Sequence, residues 1–462
     1  MIVGEVDART LSGDHIDVAL PDGIQATAQL RRIVRDRANS RVSWIGEFRD
    51  ARGSYLLITS NRGAVTGIAQ YAGRTFELRP ARKHGHVLFE IDSRRIPPTD
   101  GVWHFGSPDL AASTNANVGE ASSTTDSGTS TTAVTQDLLV VYTANAAGAW
   151  GKSALESMVI NAVQAANQAY QNSNVHVVLN VVGLQQVALA ESNGTQATLT
   201  ALAQNSAVRS LRDSVAADMV VLVDENSDYC GWAGLGDANG TTDAYAVVWS
   251  HCLSSQSLAH EVGHLQGLDH NRENSGSNGG FYPYGYGYRI CVSGGFRDIM
   301  SYDCASVSVP RVLQFSNPNV YYNGYVTGIS YESSPSTAAD TARALNNSAA
   351  QVANYRVGSA APSPSAPAAP TSVVAKNGAN STAIVSWVDA SSTETKFEIR
   401  RSKWNAITRT WSAGTIVASV SANVVRYVDP CGAGKFRYRV RARNASGASA
   451  YAGPAIVTVT EK

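Results

Sequence analysis

Short apolar runs broken by turn residues fill the first hundred positions. IDVALPDG, SWIGEF, SYLLIT, AVTGIAQY and HVLFEI carry the strand-like texture of a small β-rich module, predicted over residues 1–106. Residues 107–136 are almost wholly small and polar, cannot bury enough apolar area to fold alone, and read as a protease-exposed linker. The texture changes at Asp137: DLLVVYT is a buried strand, and Leu155, Met158, Val159, Ala162, Val163 and Ala166 form one helical stripe. VHVVLNVVGL predicts a strand, TLTALAQNSAVRSLRDS a helix, and DMVVLVD and AYAVVWS two more strands. SSQSLAHEVGHLQ returns to helical period, and a further helix is expected at 337–354. Residues 137–358 are thus an α and β mixture. A Pro-rich spacer follows at 359–370, then strands at sandwich-like spacing over 371–462.

At 462 residues, with 44% hydrophobic and 16% charged side chains, the chain is expected to fold as two to four domains rather than remain disordered. Its formal charge of zero hides opposites. Residues 1–107 carry 15 basic and 12 acidic side chains, 136–358 carry 9 and 17, and 371–462 carry 13 and 5. Separate modules with different surfaces follow, and nothing favours a nucleic-acid partner for the whole chain. No run of about 18 apolar residues would span a membrane. The start MIVGEVDART lacks a basic, then apolar, signal-peptide pattern, so secretion is expected only indirectly.

That indirect argument comes from Cys230, Cys252, Cys291 and Cys304. None lies in a C-x-x-C pair, and four within one segment read as two disulfides of an oxidising compartment, with buried free thiols as the alternative. Pairing of sequence neighbours, Cys230 with Cys252 and Cys291 with Cys304, is the simplest of three connectivities. Cys431 is left over.

The decisive chemistry lies in His260-Glu261-Val262-Gly263-His264-Leu265-Gln266-Gly267-Leu268-Asp269-His270. Histidines four apart share one helix face, so both imidazoles can reach one ion. A continued helix would carry His270 away; Gly267 is expected to break it with a backbone angle other residues avoid. Three protein ligands leave an open position on Zn²⁺ for water, whose pKa falls to about 7. Glu261 lies beside that position as general base. The five fixed positions would co-occur by chance on the order of once in 100,000 such sequences.

These residues resemble the metzincin superfamily of zinc endopeptidases, whose long histidine motif is followed by a tight turn with a methionine beneath the metal. The resemblance runs from about 137 to 358 and implies a mixed twisted sheet with an active-site helix. Met300, in Arg297-Asp298-Ile299-Met300-Ser301-Tyr302, fits that turn. Tyr302 matches a tyrosine that some members place at zinc or the oxyanion, although an ordinary core tyrosine fits the position equally. Phe315 to Pro318 (F-S-N-P) and the cysteine placement look most like bacterial peptidyl-Asp metalloendopeptidases and their reprolysin-like relatives. Asn271 departs from the Asp that adamalysin-type members carry after the third histidine. The resemblance further implies that Asp243 to Ser250 is an edge strand pairing with substrate backbone. It also implies a preference for acidic residues after the scissile bond. Arg311, the sole basic residue between Tyr302 and Pro318, is the expected substrate-binding cation; Arg289 and Arg297 lie across the turn and suit structural ion pairs.

The flanks read in the same light. Residues 1–106 and their linker resemble a propeptide, but no cysteine precedes Cys230 to block zinc; His84, His86 and His104 are alternatives that serve equally as surface residues. The last module is similar to fibronectin type III, with Trp387 and Tyr438 in matching strands. Arg437, Arg439, Arg441 and Arg443 share one face there, which suits either an anionic polymer or surface, or a solvated sheet face. The expected partners are protein or peptide substrates. The rival readings are a binding or adhesion protein with structural zinc, which would not need Glu261, and a non-proteolytic zinc amidase.

Overall fold

The computed structural model describes residues 2–4, 11–36, 38–51, 53–81, 85–92, 96–97, 102–103, 133–191, 194–234, 244–275, 280–356, 367–391, 394–422, 424–444 and 447–461. His84, His104, Asp243, most of the linker and most of the Pro-rich spacer lie outside them. Two compact units divide the chain, residues 1–359 and 360–462.

The first hundred residues build one eight-stranded antiparallel sheet. Its strands follow one another from His15–Ala19 through Gln25–Asp36, Arg41–Phe48, Ser54–Asn61, Ala64–Tyr71 and Arg74–Pro80 to His86–Ile91, with Ile2–Gly4 beyond it. His86 pairs in this sheet with Gly4 and Pro80. One face closes over Trp44, Phe48, Leu56, Ile58 and Phe76. The other contributes Ile45, Tyr55, Leu57 and Ile68 to the core of the following segment, which is why the β-rich module belongs to the same compact unit.

The second sheet has the order Val177–Gln186, Val134–Tyr142, Met219–Asp224, Tyr245–Trp249, Gly231–Gly234, Val102–Trp103. Its first four strands are parallel; Met219–Asp224 and Tyr245–Trp249, covered on both faces, are continuous apolar runs, whereas the edge strand Val177–Gln186 begins by alternating buried and exposed positions. The first begins at Val134, so the last three positions of the expected linker are strand. Tyr245–Trp249 is internal, with Met219–Asp224 on one side and antiparallel Gly231–Gly234 on the other. The expected edge strand is therefore corrected: Gly231–Gly234 lies outside it and pairs in parallel with Val102–Trp103.

Helix Lys152–Asn172 buries the expected stripe of Leu155, Met158, Val159, Ala162, Val163 and Ala166 against this sheet. Its opposite face is polar and also buried. Ser157 accepts from Thr66 at 2.8 Å and donates to the Thr59 carbonyl at 2.9 Å, while Asn161 donates to Thr66 at 2.9 Å. The N-terminal sheet thus covers a helix face that sequence periodicity marks as solvated. The single helix expected at TLTALAQNSAVRSLRDS is two, Thr195–Gln204 and Ser206–Ser214. Asn205 leaves the helical region and its side chain caps the second by accepting from Val208 N–H at 3.0 Å. Helix Thr341–Val352 closes the unit, capped by Asp340.

Residues 367–461 form a β-sandwich. One sheet is Thr371–Asn377, Ala383–Val388 and Arg426–Asp429; the other is centred on Lys396–Asn405 and Gly434–Asn444, flanked by Thr415–Ser421 and Ala452–Val459. Trp387, Phe397, Ile399, Phe436, Tyr438 and Val440 fill the space between. Half-buried Cys431 is a free thiol.

Candidate active site

Helix Ser257–Leu265 is buried along its whole length, and Gly267 ends it. With φ of 89° at Gly267, its N–H reaches the His264 carbonyl at 2.9 Å and Leu268 N–H reaches the Gly263 carbonyl at 3.0 Å, the two crossed bonds of a Schellman cap. The chain then reverses and strand Asp269–Asn271 returns His270 to the helix. A side chain at 267 would also strike the Phe281 ring, 2.2 Å from an ideal Cβ.

The three imidazoles converge. His264 Nε2 lies 3.2 Å from His260 Nε2 and 3.0 Å from His270 Nε2, and the third separation is 3.3 Å. His260 Nδ1 is 2.7 Å from the Ile299 carbonyl and His264 Nδ1 2.9 Å from the Leu268 carbonyl. Carbonyls only accept, so both Nδ1 atoms carry the proton and both Nε2 atoms present lone pairs. Lone pairs facing one another at this distance repel unless a cation lies between them. Nitrogens about 2.0–2.1 Å from a tetrahedral zinc would be separated by about 3.3 Å, so the donor set fits such an ion. Among the described residues this is the one group of three or more potential ligands close enough to hold a metal.

Each remaining wall is set by a close approach. Met300, fully buried, lies beneath the helix where an ideal Cβ on Gly263 would come within 2.5 Å of its sulfur. The turn that carries it is held by the Ser301 hydroxyl donating to Asp298 at 2.6 Å; burial pushes the Asp298 carboxyl up to about 7. Tyr302 packs its ring on His270, centroids 4.4 Å apart, and its N–H donates to Asn271 at 3.0 Å. Asn271 thus ties the third histidine to the methionine turn. Arg289 donates to the Tyr302 carbonyl at 3.0 Å, and Arg297 to the Ser301 carbonyl at 3.2 Å with Asp303 as ion partner.

Glu261 is fully buried, and an ideal Cβ on Gly231 would lie 2.3 Å from its Oε1. Strand Gly231–Gly234 therefore runs over the carboxylate, a role for Gly231 that sequence reading missed; the only hint was a lone glycine in a Cys-Gly-Trp context. Cys230 is bonded to Cys252 and pins this strand to the segment entering the motif helix, while Cys291–Cys304 closes the loop around the methionine turn.

Arg311 is brought to the helix entrance rather than to the histidines. Its guanidinium donates to the Ser255 carbonyl at 3.1 Å, and its own carbonyl accepts from Gln70 of the N-terminal sheet at 2.6 Å. With Arg297 it lines a cavity of about 1020 Å³ shared with Arg74 and Tyr71 of that sheet.

A family profile described as Reprolysin_5, Metallo-peptidase family M12, matches residues 132–316. A peptidyl-Asp metalloendopeptidase of Stenotrophomonas maltophilia (strain R551-3) is 34% identical over 73% of this chain and 78% of its own length. One from Xanthomonas campestris pv. campestris is 34% identical over 66% and 71%. Among solved structures, the chain is similar to an Fn3-like protein from Clostridium thermocellum, 23% identical over 21% of this chain and 98% of that one, TM-score 0.18. With the triad, the carboxylate and the methionine turn in one segment, the chain belongs to the family of these peptidyl-Asp relatives and is a metalloendopeptidase of family M12.

Proposed function

We propose that the metal is zinc, that Glu261 is the general base, and that the N-terminal sheet is a propeptide holding the enzyme latent before it acts outside the cell. The observation that carries this reading is the convergence of three Nε2 atoms within 3.3 Å beside a buried glutamate. Zinc bound by His260, His264 and His270 supplies a Lewis acid that acidifies water and polarises a carbonyl. Glu261, beside the motif face, takes the proton from water and returns it to the departing amine. Tyr302, its ring tilted against His270, is suited to donate toward the developing oxyanion.

Latency is supported by the neighbours of strand Gly231–Gly234. That strand covers Glu261, and Val102–Trp103 occupies its outer edge where an extended peptide would add by backbone pairing. Contacts that hold the N-terminal sheet mix apolar packing by Ile45, Tyr55, Leu57 and Ile68 with hydrogen bonds: Ser254 donates to Glu77 at 2.7 Å and Gln256 to the Tyr55 hydroxyl at 3.0 Å, both at the entrance of the motif helix. Polar groups released from such an interface regain water, so the module can leave without exposing only apolar surface. The two disulfides support an oxidising, extracellular setting.

A preference for acidic residues after the scissile bond rests on the names of the relatives, and Arg311 remains our candidate for that cation. One experiment covers the set: full-length chain and a form starting near residue 133 are assayed on casein with chelator, then with zinc restored. The short form should be the more active, fall silent with chelator and recover with zinc. Equal activity of both forms would end the latency reading, and chelator-resistant hydrolysis the zinc reading. A cleavage-site profile lacking an acidic preference would remove the role of Arg311.

A further inference from the structure

The sandwich unit carries a surface that the peptidase chemistry does not use. In strand Gly434–Asn444, Phe436, Tyr438, Val440 and Ala442 are buried, so Lys435, Arg437, Arg439, Arg441 and Arg443 all point outward. Strand register places Ser402, Arg400, Glu398 and Lys396 of Lys396–Asn405 opposite Arg437, Arg439, Arg441 and Arg443, on the same face. Seven cations therefore meet a single carboxylate, and the flanking strands Thr415–Ser421 and Ala452–Val459 contain no acidic residue.

That carboxylate is already committed. Glu398 accepts from Arg441 at 2.8 and 2.6 Å, with Arg443 at 3.8 Å and Lys396 at 4.0 Å around it. Arg400 donates to the Gly414 carbonyl at 2.9 Å, a contact that leaves its charge uncompensated. Alternate residues along a strand are about 6.6 Å apart and neighbouring strands about 4.8 Å, so the guanidinia form a strip roughly 20 Å long. Crowding of like charge on one face is unfavourable unless counterions or a polyanion neutralise it.

The aromatic residues decide what kind of polyanion fits. Arg437 lies over the Trp411 ring at 5.0 Å, Lys435 over Trp404 at 5.5 Å, and Arg400 and Arg441 over Tyr451 at 5.6 and 4.7 Å. Rings engaged by cations hold the charges in place but are poor platforms for stacking bases, which single-stranded nucleic acid would require. We propose that this face binds a linear acidic polysaccharide through its sulfate or carboxylate groups. The site lies wholly within the sandwich and does not depend on the peptidase reading.

The full chain is tested on immobilised heparin, dextran sulfate and polygalacturonate across a salt series, with a 20-nucleotide DNA strand as competitor. Heparin should retain the wild type with a steep salt dependence; dextran sulfate and polygalacturonate tell whether sulfate or carboxylate suffices. Arg437→Glu with Arg439→Glu should weaken binding at least about tenfold, while casein hydrolysis stays unchanged. Should the glutamates disturb folding, the paired glutamine variants should lower the salt slope by about one per cation removed, and the paired lysine variants should keep it. Lys376→Glu with Arg426→Glu makes the same charge change on the opposite sheet and should have little effect. The proposal is overturned if no polysaccharide retains the wild type, if the opposite-sheet pair loses as much, or if the DNA strand binds more tightly.

Discussion

Glu261 sits between two walls that are encoded in different ways. The helix wall comes from eleven consecutive residues: a four-residue histidine spacing, a glycine that can adopt φ of 89°, and a third histidine three positions later. The strand wall comes from Gly231–Gly234, thirty residues upstream, and reaches the carboxylate only because it pairs antiparallel with Tyr245–Trp249 and is tied by Cys230–Cys252. One wall is local geometry written as spacing. The other exists only through topology, and its single chemical requirement is the absence of a side chain at 231.

The sharpest way to break the comparison is to remove the function of each helix-wall residue separately. Glu261→Gln should lower casein turnover by about 10²–10⁴ while bound metal per chain, measured after dialysis, stays unchanged. His270→Ala should lose the metal itself. Metal retention in the second variant, or near-normal turnover in the first, would show that spacing had been read into the wrong chemistry.

The strand wall predicts a smaller loss. A methyl group at 231 would begin 2.3 Å from Glu261 Oε1, so either the strand or the carboxylate must shift by about an ångström. Displacement of that size typically costs up to about 10²-fold. Gly231→Ala in the form starting near residue 133 should therefore lose on the order of ten- to a hundredfold in kcat, with metal content and both disulfides intact. Full turnover would mean that the strand can retreat and that Gly231 is not part of the site's shape.

The same division separates what was legible in the sequence from what was not. Parallel strands such as Met219–Asp224 declared themselves as apolar runs, and Met300 was singled out through the resemblance of Arg297–Tyr302 to a methionine turn. Strand order did not: Tyr245–Trp249 has the composition of any buried strand, and only the pairing with Gly231–Gly234 makes it internal. Ser157 and Asn161 were equally silent, because polar residues on a helix look solvated until a second sheet is known to cover them. Arg311 was singled out by position in the chain, but its contact with Ser255 depends on how distant parts of the segment fold together, and that with Gln70 on how the N-terminal sheet docks.

A buried carboxyl group outside the site sharpens the comparison with the smallest expected effect. Asp224, at the end of strand Met219–Asp224, is as fully buried as Glu261. Its Oδ2 accepts from Asn226 at 2.7 Å, its Oδ1 has no hydrogen-bond partner among the described residues, and burial raises its carboxyl to about 8. In the unfolded chain this group ionises near pH 4. Between about pH 4 and 8 the unfolded state therefore releases a proton that the native state keeps, and stability falls as pH rises through that window. Asp224→Asn removes this contribution, so its stability gain over the wild type should grow from pH 5 to pH 8, by a few kcal/mol at most, with turnover unchanged. Asp218, raised to about 6, and Asp340, raised to about 6, keep the same sign of slope in both proteins, so the variant's dependence should be shallower rather than flat. Thermal midpoints at the two pH values decide the matter: parallel behaviour of variant and wild type would show that Asp224 is ionised in the fold, and a loss of turnover would show that burial alone does not distinguish it from Glu261, the proposed general base.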